Sequence, residues 1–323
     1  MDLAVSQAET ARRWTSPNPW VGCAIQSASG SIYVGATEAP GQRHAEIVAL
    51  DALRAAEGPD GSTGARVATT LEPCSHHGRT GPCAEALILA RVAQVFVALV
   101  DPDPLVAGRG AQRMQSAGVT VSTGVRAEIV EQQLAPYLHH RRTGLPYVVA
   151  KMASTLDGRT AAADGTSQWI TGDEARRDAH ILRAESDAII VGAGTVRADD
   201  PSLNVRHVEG RDPRRIVLGR APADAKIHPC TEYSGPLPGL LVQLGSEGIV
   251  QVLIEGGPAT LHDFHHAGLI NRYVLYLAPA LMGGSDGLSI MTGRGAVSIA
   301  DIWRGTIIGT RMVGSDIRLD LVP

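Results

Sequence analysis

Two separated stretches of the sequence carry potential metal ligands, which can bind one ion only if the fold brings them together. The first is His44-Ala45-Glu46, which opens a run whose apolar residues have helical spacing. The second, PCSHHGRTGPC, begins at Pro73 and supplies Cys74 and Cys83. One imidazole and two thiolates form the ligand set of a catalytic zinc site, whose fourth tetrahedral position holds water. Zinc lowers the pKa of that water to about 7. Glu46 is not needed as a ligand and is therefore free to relay protons.

The same residue types have other interpretations. His-x-Glu occurs by chance in many proteins, and a structural zinc site closed by His76 or His77 would also account for the set. Two features favour catalysis. Pro82 suits the first turn of a helix whose dipole would stabilise the Cys83 thiolate. The Pro73-Cys74 pair follows a strand-like run, which places the sulfurs at the carboxyl edge of a sheet, where open α/β folds bind ligands. This layout is that of zinc-dependent deaminases of amino-heterocycles.

Composition excludes several classes of partner. The chain has 323 residues, of which 44% are hydrophobic and 19% charged, as in ordinary globular proteins of two domains. A net charge of -4, no long basic run and an aromatic content of 4% argue against a nucleic-acid groove. The longest apolar run, 95–100, is too short to span a bilayer, and the first residues lack the features of a signal peptide. We therefore expect a small-molecule substrate, no nucleic acid and no membrane.

Cysteine usage predicts the compartment. Of the four cysteines, Cys74 and Cys83 are assigned to the metal. Cys23 lies in a strand-like run and Cys230 in a loop, and both are interpreted as plain thiols. Free thiols are typical of a reducing environment, so we expect a cytoplasmic protein.

Hydrophobic periodicity predicts two successive α/β alternations. The first half reads as helices and strands in a layered α/β domain, with helices at 2–13, 44–56, 82–91, 108–117 and 126–140 and strands at 21–26, 31–36, 66–71, 94–100 and 119–123. The charged stretch 139–144 is the natural boundary, which gives domains 1–143 and 144–323. The second half reads as another α/β domain, with strands at 147–153, 188–191, 215–218, 251–254, 272–277, 304–312 and 315–322 and helices at 173–185 and 258–267.

Glycine-rich turns follow two strands of the second half. One is Gly192 to Thr195, and the other is Gly256-Gly257, which opens a helix whose free amide groups suit a pyrophosphate. A plain strand-to-helix turn is the alternative, because the third glycine of a dinucleotide fingerprint is absent. Arg183 and Arg206 are candidates for a substrate phosphate, although either would equally suit a solvated surface. Residues alone therefore predict a nucleotide- or phosphate-binding domain.

Ordered motifs along nearly the whole chain resemble those of the bifunctional riboflavin-biosynthesis deaminase–reductases. In the first half these motifs are TSPNPWVGC from Thr15, HAE from His44, residues 71–83, and DPDP from Asp101 with VAGRG from Val106. In the second half they are residues 151–159, SQWI from Ser167, residues 199–206 and EGGP from Glu255.

This resemblance implies an N-terminal cytidine-deaminase-like α/β/α domain and a C-terminal dihydrofolate-reductase-like α/β domain. The first would use one zinc ion to deaminate 2,5-diamino-6-(5-phosphoribosylamino)pyrimidin-4(3H)-one hydrolytically, with Glu46 as the proton relay. The second would use NADPH to reduce the ribosyl group, which gives 5-amino-6-(5-phosphoribitylamino)uracil. Such folds usually form homodimers or higher homo-oligomers.

The resemblance also implies site residues. Positions similar to cofactor contacts are Ala153, Trp169, Thr195, Asp199, Gly257, Pro258, Ala259 and Thr260. Positions similar to substrate contacts are Asn18 and Arg79 in the first half and Ser167, Arg183, Leu203, Arg206 and Glu255 in the second.

Two departures from the family pattern affect the second half. Gly219-Arg220 replaces a common Asp-Ser pair, and as a hypothesis Arg220 meets the 2′-phosphate of the cofactor. The segment 227–240 is shorter than the strand and loops usual there. A rival interpretation is therefore a deaminase whose second half serves only binding or dimerisation. A nucleic-acid base deaminase and a non-enzymatic zinc-stabilised scaffold are further alternatives.

Overall fold

A computed structural model describes residues 1–75, 81–104 and 106–323 of the chain. The chain forms two compact units, Met1–Gly144 and Leu145–Pro323. In this described part, no helix is both long and apolar enough to cross a bilayer.

The first unit is a five-stranded sheet with helices packed on it. The helices are α1 (Asp2–Ala11), α2 (Ala45–Glu57), α3 (Cys83–Leu89), α4 (Arg109–Ser116), α5 (Ala127–Gln133) and α6 (Ala135–Thr143). The strands are β1 (Gly22–Gln26), β2 (Ile32–Ala36), β3 (Arg66–Leu71), β4 (Gln94–Leu99) and β5 (Thr120–Thr123), in the spatial order β2-β1-β3-β4-β5. β1 runs antiparallel to both neighbours, whereas β3, β4 and β5 are parallel.

Sequence periodicity accounts for the packing of the first unit. Along α2, Ala45, Ala49, Leu50 and Leu53 are buried, a spacing that places them on one helical face. Strands β1 and β4 supply further buried apolar side chains to the same core. Since Glu46 lies on the first turn of α2, the packing of this helix also fixes the direction from which that carboxylate enters the interior.

The second unit contains an eight-stranded sheet, a two-stranded ribbon, four α-helices and a short 3₁₀ helix (Ile299–Asp301) in its described residues. The helices are α7 (Asp173–Ala184), α8 (Ala193–Asp199), α9 (Leu237–Ser246) and α10 (Pro258–His266). The strands are β6 (Tyr147–Thr155), β7 (Arg159–Ala161), β8 (Ala188–Gly192), β9 (Arg214–Leu218), β10 (Thr231–Tyr233), β11 (Gln251–Ile254), β12 (Arg272–Ala278), β13 (Leu288–Ser289), β14 (Thr306–Val313) and β15 (Asp316–Val322).

The strand order of the large sheet is β10-β9-β8-β11-β6-β12-β15-β14, and β7 pairs with β13 separately. All pairs from β10 to β12 are parallel, and β12, β15 and β14 are antiparallel. The carboxyl ends of β6, β8 and β11 therefore meet at one edge, where ligands bind in such sheets. The predicted α/β class is confirmed for both halves.

Three differences from the predicted elements have physical causes. The helix predicted over 126–140 is two helices, α5 and α6, because Pro136 in the first turn of α6 has no N–H for a continuous helix. The shortened segment 227–240 still contains a strand, β10, which pairs in parallel with β9. Helix α9 was not predicted, because Pro238 and Gly239 near its start favour a loop. Its residues Leu240, Leu241 and Leu244 are nevertheless buried in the core.

Replacement of Gly22 by alanine should destabilise the first unit. A Cβ at Gly22 would lie 1.9 Å from the Ala4 carbonyl oxygen and 2.7 Å from the Ala8 nitrogen, so α1 would have to move away from β1. We expect a loss of roughly 2 kcal/mol or more in the free energy of unfolding, measured by hydrogen exchange of the β1 amides. Gly295→Ala is the control, because a Cβ there has no atom within 4 Å. Unchanged protection in Gly22→Ala would show that α1 does not pack as described.

Candidate active sites

The cysteine and histidine ligands predicted from the sequence lie together in the first unit. His44 precedes the first residue of α2, Cys74 follows β3, and Cys83 is the first residue of α3. The Nδ1 atom of His44 lies 3.7 Å from the Cys74 sulfur and 3.3 Å from the Cys83 sulfur. In a tetrahedral zinc site with bonds of about 2.3 Å to sulfur and 2.0 Å to nitrogen, the nitrogen and sulfur atoms lie about 3.5 Å apart. The three residues thus fit one zinc ion.

The two thiols lie close enough to change one another's protonation. The hydrogen bond from Cys83 and the nearby His44 lower the pKa of Cys74 to about 4, although its burial opposes this. The same shared bond, together with burial, raises the pKa of Cys83 well above its ordinary value. Cys74 is partly buried and Cys83 is buried, and two such adjacent sulfurs both carry a negative charge only where a cation compensates them. A divalent metal would supply that compensation.

Glu46 is buried beside these ligands, with 3% of its surface exposed. Burial first, and then the negative charge of Cys74, raise the pKa of its carboxyl to about 6. Within the described residues, the candidate metal ligands are His44, Cys74 and Cys83, so the Glu46 carboxylate lies next to the set without belonging to it. This position suits a group that exchanges protons with a substrate at the metal.

The remaining predicted residues of the first unit are described only in part. Asn18 is half-buried in the turn after α1, and its N–H donates to the Thr15 carbonyl. Arg79 lies outside the described residues, as do His76 and His77.

Sequence reasoning missed Glu72, the buried residue between β3 and Pro73. Its carboxylate accepts backbone N–H bonds from Asp101 (3.3 Å), Gly108 (2.8 Å) and Ala111 (3.0 Å). A carboxylate satisfied in this way ties the start of α4 to the segment that carries Cys74. The signal available in the sequence was an acidic residue directly after a strand-like run.

A cavity of about 1120 Å³ lies in the second unit, at the carboxyl ends of β6, β8 and β11. It is lined by every cofactor and substrate residue that the resemblance implies for this half: Ala153, Ser167, Trp169, Arg183, Thr195, Asp199, Leu203, Arg206, Glu255, Gly257, Pro258, Ala259 and Thr260. Arg220, the hypothesised contact of the cofactor 2′-phosphate, is exposed and is not one of the residues that line the cavity. Lys226 does line the cavity. Among the lining residues that the site prediction did not include are Lys151, His180 and Tyr276.

The two glycine-rich turns meet in this cavity. The Gly257 N–H donates to the Thr195 hydroxyl at 3.0 Å. A Cβ at Gly192 would lie 2.5 Å from the Thr260 hydroxyl oxygen, and one at Gly256 would lie 2.6 Å from the Thr260 Cβ. Glycine is thus required at both positions because the turns approach so closely, and the approach directs the first turn of α10 into the cavity.

A buried ion pair crosses the cavity wall. The Arg183 guanidinium on α7 donates to both oxygens of Glu255, at 2.6 and 2.9 Å. The ammonium of Lys151 on β6 lies 4.0 Å from the same carboxylate. Burial alone would raise the pKa of Glu255, but Arg183, and then Lys151 and His180, lower it to about 2. Glu255 therefore remains ionised at neutral pH and fixes two cations at the cavity.

Arg206 is held differently. Its guanidinium donates to the Ser202 hydroxyl at 2.9 Å and to the Asn204 side-chain oxygen at 2.6 Å, and both acceptors are neutral. Arg183 donates to the Asn204 carbonyl at 3.1 Å, which links the loop to α7. The charge of Arg206 is therefore not cancelled by these partners and can attract an anion in the cavity.

Comparison with protein families assigns each half of the chain. Residues 146–318 match the RibD C-terminal domain, and residues 1–99 match the cytidine and deoxycytidylate deaminase zinc-binding region.

Full-length relatives share the arrangement of both halves. Riboflavin biosynthesis protein RibD of Escherichia coli is 39% identical over all of this chain and 98% of its own length. The protein of that name from Mycobacterium tuberculosis is 41% identical over all of this chain and 96% of its length. The structure of Acinetobacter baumannii RibD, form 1, superposes with a TM-score of 0.90 at 38% identity, covering all of this chain and 97% of the other. A diaminohydroxyphosphoribosylaminopyrimidine deaminase/5-amino-6-(5-phosphoribosylamino)uracil reductase from Thermotoga maritima has a TM-score of 0.89, 28% identity and the same coverage.

The Glu255 ion pair makes the stability of the second unit depend on pH. Its pKa of about 2 lies below the ordinary value, so its contribution is complete above pH about 4.5 and is lost as the pH falls towards 2. Glu255→Gln should lower the free energy of unfolding at pH 6 by on the order of 3 kcal/mol. The deficit relative to wild type should shrink as the pH is lowered to 3, measured by hydrogen exchange of the β11 amides. A constant deficit would rule out the ion pair as its cause.

Proposed function

Because this chain belongs to the RibD family of riboflavin-biosynthesis proteins, we propose that it carries out two successive reactions. The first is the hydrolytic deamination of 2,5-diamino-6-(5-phosphoribosylamino)pyrimidin-4(3H)-one. The second is the NADPH-dependent reduction of the ribosyl group, which yields 5-amino-6-(5-phosphoribitylamino)uracil. The observation that carries this proposal is that one chain holds both a His-Cys-Cys cluster and a separate cavity lined by all the implied reductase residues.

We assign deamination to residues 1–143 and reduction to residues 144–323. His44, Cys74 and Cys83 would hold one zinc ion, which activates water at neutral pH. Glu46 would take a proton from the attacking water and deliver one to the departing amine, since its carboxyl lies beside the ligands in an interior that excludes bulk water. Asn18 and Arg79 are the proposed substrate contacts of this half.

In the second half, NADPH would supply the hydride. The first turn of α10 offers the N–H groups of Ala259 and Thr260, which have no acceptor within the helix and are suited to the pyrophosphate. Arg183 and Arg206 would bind the substrate phosphate, with Ser167 and Leu203 beside them in the cavity wall. Glu255 holds Arg183 and Lys151 in place, so that the ribosyl group meets a preorganised set of charges.

The rival interpretation, a deaminase with a degenerate second half, is not favoured. It depended on the shortened segment 227–240. That segment nevertheless completes the sheet with β10, and the cavity keeps its implied residues. The full-length relatives carry both halves as well.

We also propose a homodimer in the cytoplasm. Strand β14 is an edge strand of the large sheet, and its residues Ile307 and Met312 are 57% and 62% exposed. An edge strand with exposed apolar side chains is suited to pairing with a second copy. Light scattering of the purified protein tests the dimer, and a monomer would contradict it.

We propose a reducing compartment because all four cysteines are free and two of them are required as thiolates.

Glu46→Gln tests the deaminase assignment. The amide cannot relay protons, so we expect deamination to fall by about 10²-fold or more while one zinc per chain remains bound. Turnover is measured by mass spectrometry of the pyrimidine, and zinc by elemental analysis.

The matched control is reduction of the already deaminated substrate by the same variant, which should proceed at the wild-type rate. Arg206→Ala should give the opposite pattern, with impaired reduction and intact deamination. Loss of both activities in either variant would contradict the assignment of one reaction to each half.

A further inference from the structure

His180 lies in the reductase half and belongs to none of the predicted site residues. It is on α7, one turn before Arg183, and 3% of its surface is exposed. Its ring lines the same cavity as Arg183 and Arg206 and meets the His207 ring edge to face at 4.6 Å. A buried imidazole among these cations needs a physical explanation.

The hydrogen bonding of this ring defines its protonation state. The Nδ1 atom accepts the backbone N–H of Arg206 at 3.2 Å. A ring nitrogen that accepts carries no proton, so the ring is neutral and its proton is on Nε2. Burial, followed by the charges of Arg183, Arg206 and His207, lowers the pKa of His180 to about 4, whereas Glu255 acts in the opposite direction. The acceptor is therefore available at neutral pH.

The loop that carries Arg206 depends on such contacts. Leu203 has φ of +49°, a left-handed conformation that costs free energy in a branched residue and persists only where neighbours hold it. Two residues of α7 contact the loop beyond Leu203: Arg183 donates to the Asn204 carbonyl, and His180 accepts from the Arg206 N–H. These two hydrogen bonds hold the backbone on either side of Val205.

We propose that His180 is a positioning residue of the reductase, whose neutral ring holds Arg206 where its guanidinium binds the phosphate monoester of the substrate. This inference rests on the proposed reductase function. The bond to His180 fixes the backbone of Arg206, while Ser202 and Asn204 fix its guanidinium. With the loop already in place, phosphate binding does not have to order it.

Two amide variants separate the role of Nδ1 from that of the ring as a whole. In His180→Asn the side-chain oxygen can occupy the position of Nδ1 and keep the acceptor, whereas His180→Gln places its amide near the position of Nε2. We expect His180→Gln to raise KM for the phosphorylated substrate roughly three- to tenfold, the effect of one hydrogen bond. Its kcat and its Kd for NADPH should change little. His180→Asn should restore KM to within about twofold of wild type.

A double-mutant cycle tests the coupling to Arg206 directly. If His180 acts through Arg206, His180→Gln should have almost no effect on KM in an Arg206→Ala background. An equal increase in both backgrounds, or equal KM values for the Asn and Gln variants, would overturn the proposal. NADPH binding by each variant verifies that the second unit is folded.

The affinity for inorganic phosphate tests the positioning role of His180 without a measurement of turnover. Calorimetry on the wild type, His180→Asn and His180→Gln should give weaker phosphate binding for the Gln variant alone. If the wild type binds phosphate and NADPH but reduces no substrate, the proposed function fails while the positioning role is still measured. Equal phosphate affinities in all three proteins would refute the positioning role.

Discussion

A buried glutamate one residue beyond a parallel strand organises the site in each unit. Glu72 follows β3 and accepts three backbone N–H bonds from the loop before α4 and from the first turn of α4. Glu255 follows β11 and is neutralised by Arg183 and Lys151. Because an unpaired charge is costly to bury, each carboxylate fixes the elements that supply its partners. The residues that come next in the sequence, Cys74 in one unit and the glycine-rich turn in the other, are positioned as a consequence.

The two buried carboxylates are stabilised by different partners, and each set of partners suits the reaction of its own unit. Glu72 is satisfied by neutral N–H groups, so no cationic side chain has to be placed beside the thiols, whose charge can then be balanced by a metal. Glu255 is satisfied by cations, which brings Arg183 to the cavity without leaving an unpaired carboxylate. Arg206 is held by neutral oxygens and keeps its charge for an anion. Among the described residues, the His-Cys-Cys cluster lies in the first unit and the residues that line the cavity lie in the second.

Much of this could be predicted from the sequence, because the decisive residues are of types with few other uses. A histidine and two cysteines are recognisable as metal ligands from their chemistry, and strand ends followed by glycine are recognisable as turns. The contacts that were missed depend on the fold. Lys151 lies within an apolar strand and has meaning only beside Glu255, and the role of His180 appears only when the loop folds back to its ring. Helix α9 was missed because burial of its leucines outweighs its weak local propensity.

The most direct test of the two-site account is a mass balance on the wild-type enzyme. Zinc-loaded protein is incubated with the diaminopyrimidinone phosphoribosyl substrate, with and without NADPH, and the products are weighed by mass spectrometry. The account predicts deaminated product alone without NADPH, and deaminated and reduced product with it. Deaminated product alone in both samples would contradict the account, because the cavity of the second unit would then hold no working reductase.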